Sequence, residues 1–148
     1  MDKKRLLVLC TGNSARSQMA EGLFRYEAGD LFEVFSAGTM PSHVRPEAIA
    51  VMREIGIDIS RHWSKSLDEF KGQHFDCVVT VCDNARQSCP IFPGTTKRLH
   101  WPIEDPAGVD EPEDTRMAKF RQARDQIHVR IKAFLEEWPQ IERPNSST

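Results

Sequence analysis

Apolar and polar positions along the 148-residue chain follow two alternating periods. Leu6-Leu7-Val8-Leu9 is an unbroken apolar run, the pattern of a strand buried on both faces. From Ser17 onward the period lengthens, and Met19, Ala20, Leu23, Phe24 and Ala28 fall on one face of a helix. Phe32 to Phe35 predicts a second strand, ending at Ser36-Ala37-Gly38. Pro46 opens a helix through Ile55, with Ile49, Met52 and Ile55 inward and Gly56 as its stop. A short helix around Ser66 to Phe70 leads to a third strand, Cys77 to Val81, and Lys97 to Trp101 reads as a weaker fourth. The last helix is predicted from Pro112 to Trp138, with Met117, Phe120, Ile127, Ile131, Phe134 and Trp138 in one stripe and Pro139 ending it. Its charges, such as Arg121, Arg124 and Asp125, belong to a solvated face on this reading.

Strands separated by helices of this length imply a parallel sheet covered on both faces. Right-handed crossovers favour a small doubly wound sheet in the order 2-1-3-4. The expected fold is therefore α/β, a single domain over residues 1–140, with a flexible polar tail over 141–148. In that order strands 1 and 3 are neighbours about 4.8 Å apart. The crevice at their carboxyl ends is the switch point where ligands bind. Cys10 follows strand 1 and Cys82 follows strand 3, so their Cα atoms fall within disulfide reach.

Composition narrows the function classes. Apolar residues make up 39% and charged residues 28%, as in an ordinary soluble domain. A formal net charge of −2 leaves no basic face for nucleic acid. The apolar stretch behind Met1-Asp2-Lys3-Lys4-Arg5 is too short for a signal peptide or a membrane span, so the protein is expected in the cytoplasm with no membrane partner. Cysteines 10, 77, 82 and 89 in a reducing compartment point to catalysis or metal binding rather than to a disulfide scaffold.

Residues 10–17 read Cys-Thr-Gly-Asn-Ser-Ala-Arg-Ser. The small residues Thr11, Gly12, Asn13, Ser14 and Ala15 let backbone N–H groups turn inward around a tetrahedral anion. Arg16 adds a planar fork for two anion oxygens. Cys10, beneath that positive field, is expected as a thiolate nucleophile, and Ser17 either donates to its sulfur or caps the helix. Asp105, followed by Pro106, lies beyond the carboxyl edge of the sheet, where an Asp-Pro pair is otherwise a simple turn. Cys77 opens an apolar run and reads as core. For Cys82 and Cys89 a zinc site with His74, or inert burial, are the competing readings. Their spacing is wider than a typical zinc knuckle and no second cysteine pair exists. His43, His62, His74 and His128 have no partner legible in the sequence.

The loop followed by Gln18-Met19-Ala20-Glu21-Gly22 resembles the phosphate-binding loop of the low-molecular-weight protein tyrosine phosphatase superfamily, and within it the thioredoxin-coupled arsenate reductases. The resemblance runs on through Ser36-Ala37-Gly38, the segment Val78 to Pro90, and His100-Trp101 leading to Asp105-Pro106-Ala107-Gly108. It implies a phosphatase-like fold that binds arsenate, with phosphate or sulfate as competing oxyanions, on Thr11 to Ala15 and Arg16. It further implies attack by Cys10, a proton from Asp105 to the leaving oxygen, then Cys82 and Cys89 carrying the disulfide outward by thiol exchange. Thioredoxin is the implied external reductant, with no bound cofactor and a monomeric enzyme. The alternatives are a protein tyrosine phosphatase, for which the same loop serves, and a non-catalytic oxyanion or redox sensor. Weak phosphatase activity is expected even of an arsenate reductase. Some relatives hold a structural cation with residues matching Asn13, Glu21 and Ser36 plus an acidic residue where this chain has Lys65. No metal is expected here, and the ammonium takes that space.

Overall fold

The computed structural model describes residues 3–90, 92–95, 97–106 and 111–142. Its elements in chain order are β1 (Lys4–Cys10), α1 (Arg16–Ala28), β2 (Phe32–Gly38), α2 (Pro46–Arg53), a 3-10 turn (Leu67–Glu69), β3 (Cys77–Thr80), α3 (Asp83–Ser88), β4 (Lys97–His100) and α4 (Glu113–Glu142). The strands form one parallel sheet in the order β2-β1-β3-β4, as the crossover argument requires.

Because successive side chains of a strand face opposite ways, β1 feeds two cores. Leu6, Val8 and Cys10 meet the face covered by α1, α2 and α4, while Leu7 and Leu9 meet the face covered by the 3-10 turn and α3. The first core is aromatic: Phe24 stacks on Trp101 at 5.9 Å between centroids, and Phe32 lies 4.9 Å from Trp138. Each such ring stabilises the fold by about 2–3 kcal/mol through burial alone. The second core packs Phe75 edge to face against Phe35, Phe70 and Phe92, with Phe35 and Phe70 tilted against each other.

Several boundaries differ from the sequence reading. The buried stripe of α2 is Ala48, Val51 and Met52, with Ile49 half-buried, and Ile55 is exposed. The helix ends at Arg53 rather than Ile55; Gly56 follows at φ +81°, with Gly56 N–H on Arg53 O and Ile57 N–H on Met52 O. That pair of bonds is a Schellman turn, and it sends Ile57 rather than Ile55 into the core. Helix α4 continues past Pro139 to Glu142, two residues into the expected tail. A proline removes only one hydrogen bond from a helix already anchored by Phe134 and Trp138. The rest of the expected tail, 143–148, and Ala107 and Gly108 of the Asp105 motif lie outside the described residues.

Arg124 is not on a solvated face. It is buried, with Nη1 donating to Val51 O at 2.8 Å and to Glu54 Oε1 at 2.9 Å, and it ties α4 to α2. Helix α3 has no counterpart in the sequence reading. Of its six residues only Ala85 is buried, which leaves no periodicity to detect.

Candidate active site

The strand β1 ends at Cys10 and α1 begins at Arg16, so the five residues between them must turn the chain in a tight loop. Every carbonyl from Cys10 to Ser14 has a donor outside the loop. Cys10 O accepts from Thr39 N at 3.2 Å, Thr11 O from Met40 N at 2.8 Å, Gly12 O from Ser42 N at 3.1 Å, and Ser14 O from Arg45 N at 2.9 Å. Asn13 O accepts from Gln18 Nε2 at 3.1 Å. With the carbonyls held outward, the amides of Thr11 to Ala15 are left to line the concave side. No side chain caps α1, so its first-turn amides add to the same positive field. The strap over 39–45 that fixes this geometry is irregular backbone, and nothing in its sequence marks it.

Asn13 takes φ +47° and is fully buried. Its side chain points away from the cradle and acts as a hub. Nδ2 donates to Ser17 Oγ at 2.7 Å and Ser36 Oγ at 3.0 Å, while Oδ1 accepts from Lys65 N at 2.8 Å and Gln18 Nε2 at 3.0 Å. Asn13 thus serves the cradle through its backbone. Ser17 Oγ, already accepting from Asn13, has its own proton free for Cys10 Sγ, 2.9 Å away. Asn13 N–H also donates to that sulfur at 3.2 Å. Of the two roles open to Ser17, the structure has the sulfur contact and no cap.

Behind the hub Ser36 donates to the buried Glu21 carboxylate. Lys65 Nζ lies 3.7 Å from Glu21 Oε1, donates to Trp63 O at 2.9 Å and sits 4.7 Å from the Trp63 ring centroid. Burial pulls the Lys65 amine below the ordinary lysine range, opposed by the Glu21 charge. Lys65 Nζ thus faces Glu21, while the Lys65 backbone amide, not its amine, reaches Asn13. Among the described residues no three histidine, cysteine or carboxylate side chains converge as a metal site. His62 has partners the sequence did not reveal, Gln18 Oε1 at 3.0 Å and Glu21 Oε2 at 3.9 Å, and His128 has Glu27 at 2.7 Å.

Arg16 donates through Nη1 to Ile103 O at 2.9 Å, and its Nη2 lies 3.8 Å from Asp105 Oδ2. Asp105 is more than half exposed at the mouth of a cleft of about 280 Å³ lined by Arg16, Cys82, Asp83, Ile103, Glu104 and Asp105. A larger cleft of about 890 Å³ lies along α4 and contains none of the cysteines. Size does not locate the chemistry in this molecule.

All four cysteines are unlinked. Cys10 is buried at the cradle floor, and Cys77 is buried in the core as its apolar run suggested. Cys82 is half-buried, with Sγ 3.2 Å from Thr11 Oγ1, so a single hydroxyl of the cradle touches it. Its sulfur also accepts from Ala85 N at 3.4 Å, capping α3. Cys89 stands at the other end of that helix, as its C-cap, in a separate cleft. Hence the fold brings Cys10, Ser17, Arg16, Cys82 and Asp105 to one edge of the sheet, and holds Cys89 a helix length away. His74, the zinc partner considered for the cysteines, faces Asp76 Oδ1 at 2.8 Å and Pro93 O at 2.7 Å instead.

A family model described as low molecular weight phosphotyrosine protein phosphatase matches residues 5–144. An arsenate reductase of Halalkalibacterium halodurans is 46% identical over 136 residues, 92% of this chain and 98% of its own. Among solved structures, an arsenate reductase in the phosphate-binding state superposes with a TM-score of 0.73 at 31% identity, covering 90% of this chain and 98% of that one. A thioredoxin-dependent arsenate reductase of Corynebacterium glutamicum superposes with a TM-score of 0.71 at 28% identity, covering 91% of this chain and 61% of that one.

Proposed function

The chain belongs to the low molecular weight phosphotyrosine protein phosphatase family, and within it we propose that it is an arsenate reductase working through a relay of Cys10, Cys82 and Cys89. The observation that carries this reading is the second thiol at the cradle: Cys82 Sγ touches Thr11 Oγ1, on the residue next to Cys10. A phosphatase needs one thiolate, whereas a reductase must also take up the oxidation it causes. The 46% identity to an arsenate reductase supports the same reading.

Arsenate binds on the amides of Thr11, Gly12, Asn13, Ser14 and Ala15, with Arg16 on two of its oxygens. Phosphate and sulfate compete for the same amides. Ser17 and the Asn13 amide orient Cys10 Sγ, which attacks arsenic. Asp105 protonates the departing oxygen, giving a covalent S–As adduct. Cys82 thiolate then attacks Cys10 Sγ. The S–As bond breaks with its electron pair going to arsenic, so As(V) leaves as arsenite and a Cys10–Cys82 disulfide remains.

Cys89 thiolate attacks Cys82 Sγ next and expels Cys10 as thiolate. Seven residue steps of helix span about 10 Å, and disulfide Cα atoms stand no more than about 7 Å apart. Helix α3 must therefore unwind for this step. At six residues, with one buried side chain, its opening costs little. The resulting Cys82–Cys89 disulfide is then open to an external dithiol. Thioredoxin is that reductant on this reading, in line with the thioredoxin-dependent relative, and the enzyme acts as a monomer without bound cofactor.

The family match also favours weak phosphomonoester hydrolysis, since the cradle and Cys10 suit either tetrahedral anion. Cys82→Ser separates the two activities. Arsenite release with arsenate, thioredoxin, thioredoxin reductase and NADPH should fall to background, while p-nitrophenyl phosphate hydrolysis persists. Arsenate reduction undiminished in Cys82→Ser would overturn the proposal.

A further inference from the structure

The relay leaves one question of geometry: what holds Cys89 ready while it waits a helix length from its target? The cleft around it, about 290 Å³, is lined by Cys89, Arg86, Arg98 and His100 together with β3 and β4 backbone neighbours. The edge strand β4 presents Arg98 and His100 at i and i+2, hence on one face. His100 Nε2 lies 3.1 Å from Asp83 Oδ1, at the first residue of α3. Arg98 Nη2 reaches the other end, 2.7 Å from Pro90 O and 3.4 Å from Cys89 Sγ. Two side chains of a single strand thus hold the two ends of the helix that must unwind.

Resting on the relay reading above, we propose that Arg98 is a positioning residue for the second exchange: its guanidinium holds Cys89 Sγ and stabilises it as the thiolate that attacks Cys82. The exchange itself is balanced without an outside oxidant. A Cys89–Cys82 bond forms, the Cys82–Cys10 bond breaks, the electron pair leaves on Cys10 Sγ, and the proton of Cys89 goes to solvent. The need for a nearby cation is physical. Burial pushes the Cys89 thiol above its ordinary value, and the Arg98 charge and hydrogen bond pull it back. The charged and titratable groups facing it are Arg86 from α3 and Arg98 and His100 from β4, the last occupied by Asp83 and by Thr80 Oγ1 at 2.8 Å. Of these groups Arg98 contacts the sulfur, donating through Nη2 at 3.4 Å; the thiol itself donates to Pro90 O, also at 3.4 Å.

The test is the pH dependence of Cys89 alkylation by iodoacetamide in the whole reduced protein. Tryptic cleavage after Arg86 and Lys97 isolates Cys89 from the other three cysteines for mass spectrometry. In Arg98→Gln the midpoint should rise by about one pH unit, making alkylation at pH 7 roughly tenfold slower. Arg98→Lys should restore most of the loss. A purely structural role would change the rate equally at every pH and leave the midpoint in place, which overturns the proposal. After a single turnover with arsenate, Arg98→Gln should form Cys10–Cys82 at the wild-type rate and convert it to Cys82–Cys89 about tenfold more slowly. An unchanged conversion rate also overturns it. Alkylation needs no arsenate, so an unmoved midpoint removes the role of Arg98 and leaves the relay standing. Undiminished turnover by Cys89→Ser removes the relay itself.

Discussion

At the scale of single residues the site depends on where side chains point away from the anion. Asn13 shows this best. As one of five small residues it reads as cradle, and its backbone serves there, but its amide side chain joins Ser17, Ser36, Gln18 and Lys65 behind the loop. Gly38 shows the same economy of space. A Cβ on Gly38 would lie 2.5 Å from Thr11 O and 2.9 Å from Asn13 N, both of them cradle backbone. Gly38→Ala should therefore destabilise the fold by about 1–3 kcal/mol and lower kcat/KM for arsenate at least tenfold by displacing the cradle amides. Urea unfolding and steady-state kinetics on the same variant check both. Wild-type kcat/KM in that variant would mean the loop tolerates the displacement.

At the scale of elements, the sheet and most helices were legible because burial repeats. Leu6 to Leu9 has to be a central strand, and β1 is one, paired with β2 on one side and β3 on the other. Legibility failed where burial does not repeat. Helix α3 offers only Ala85 to the core, so its polar residues resemble a loop, and the length it places between Cys82 and Cys89 went unseen. Arg124 failed for a different reason. A charge within an amphipathic pattern reads as solvent-facing, whereas this one is buried against a carbonyl and a carboxylate from α2. On the proposed relay, the same brevity that hid α3 makes it the element that must move. Amide hydrogen exchange should show the amides of residues 85–88 more protected in the reduced protein than once Cys82–Cys89 has formed, with α1 and α4 unchanged. Protection retained in the oxidised form would mean the disulfide is made without unwinding.

At the scale of the whole molecule, the site edge unites two cores, one on each face of the sheet, through β1 and β3. The relay segment from Cys82 onward is tied back to the body at Pro93. Both ring nitrogens of His74 face acceptors, Pro93 O and Asp76 Oδ1, which only the charged ring satisfies together. The carbonyl first, then the carboxylate, raise the His74 pKa above 6.5. This contribution to stability is fully present below pH 6.5 and is lost as pH rises through the raised folded value. His62 runs the other way. Burial lowers its pKa, so its contribution is lost as pH falls from 6.5 through the lowered folded value. The urea midpoint of the wild type should decline as pH rises above 6.5, and that of His74→Gln should lack this decline. An identical decline in both proteins would rule out the His74 contact as its source. The cysteine chemistry spans this whole assembly, and one measurement tests it most directly: arsenite formed per chain by Cys89→Ser, with thioredoxin, its reductase and NADPH in excess. The relay predicts about one arsenite per chain, then arrest with Cys10–Cys82 oxidised. Sustained turnover at the wild-type rate would contradict it.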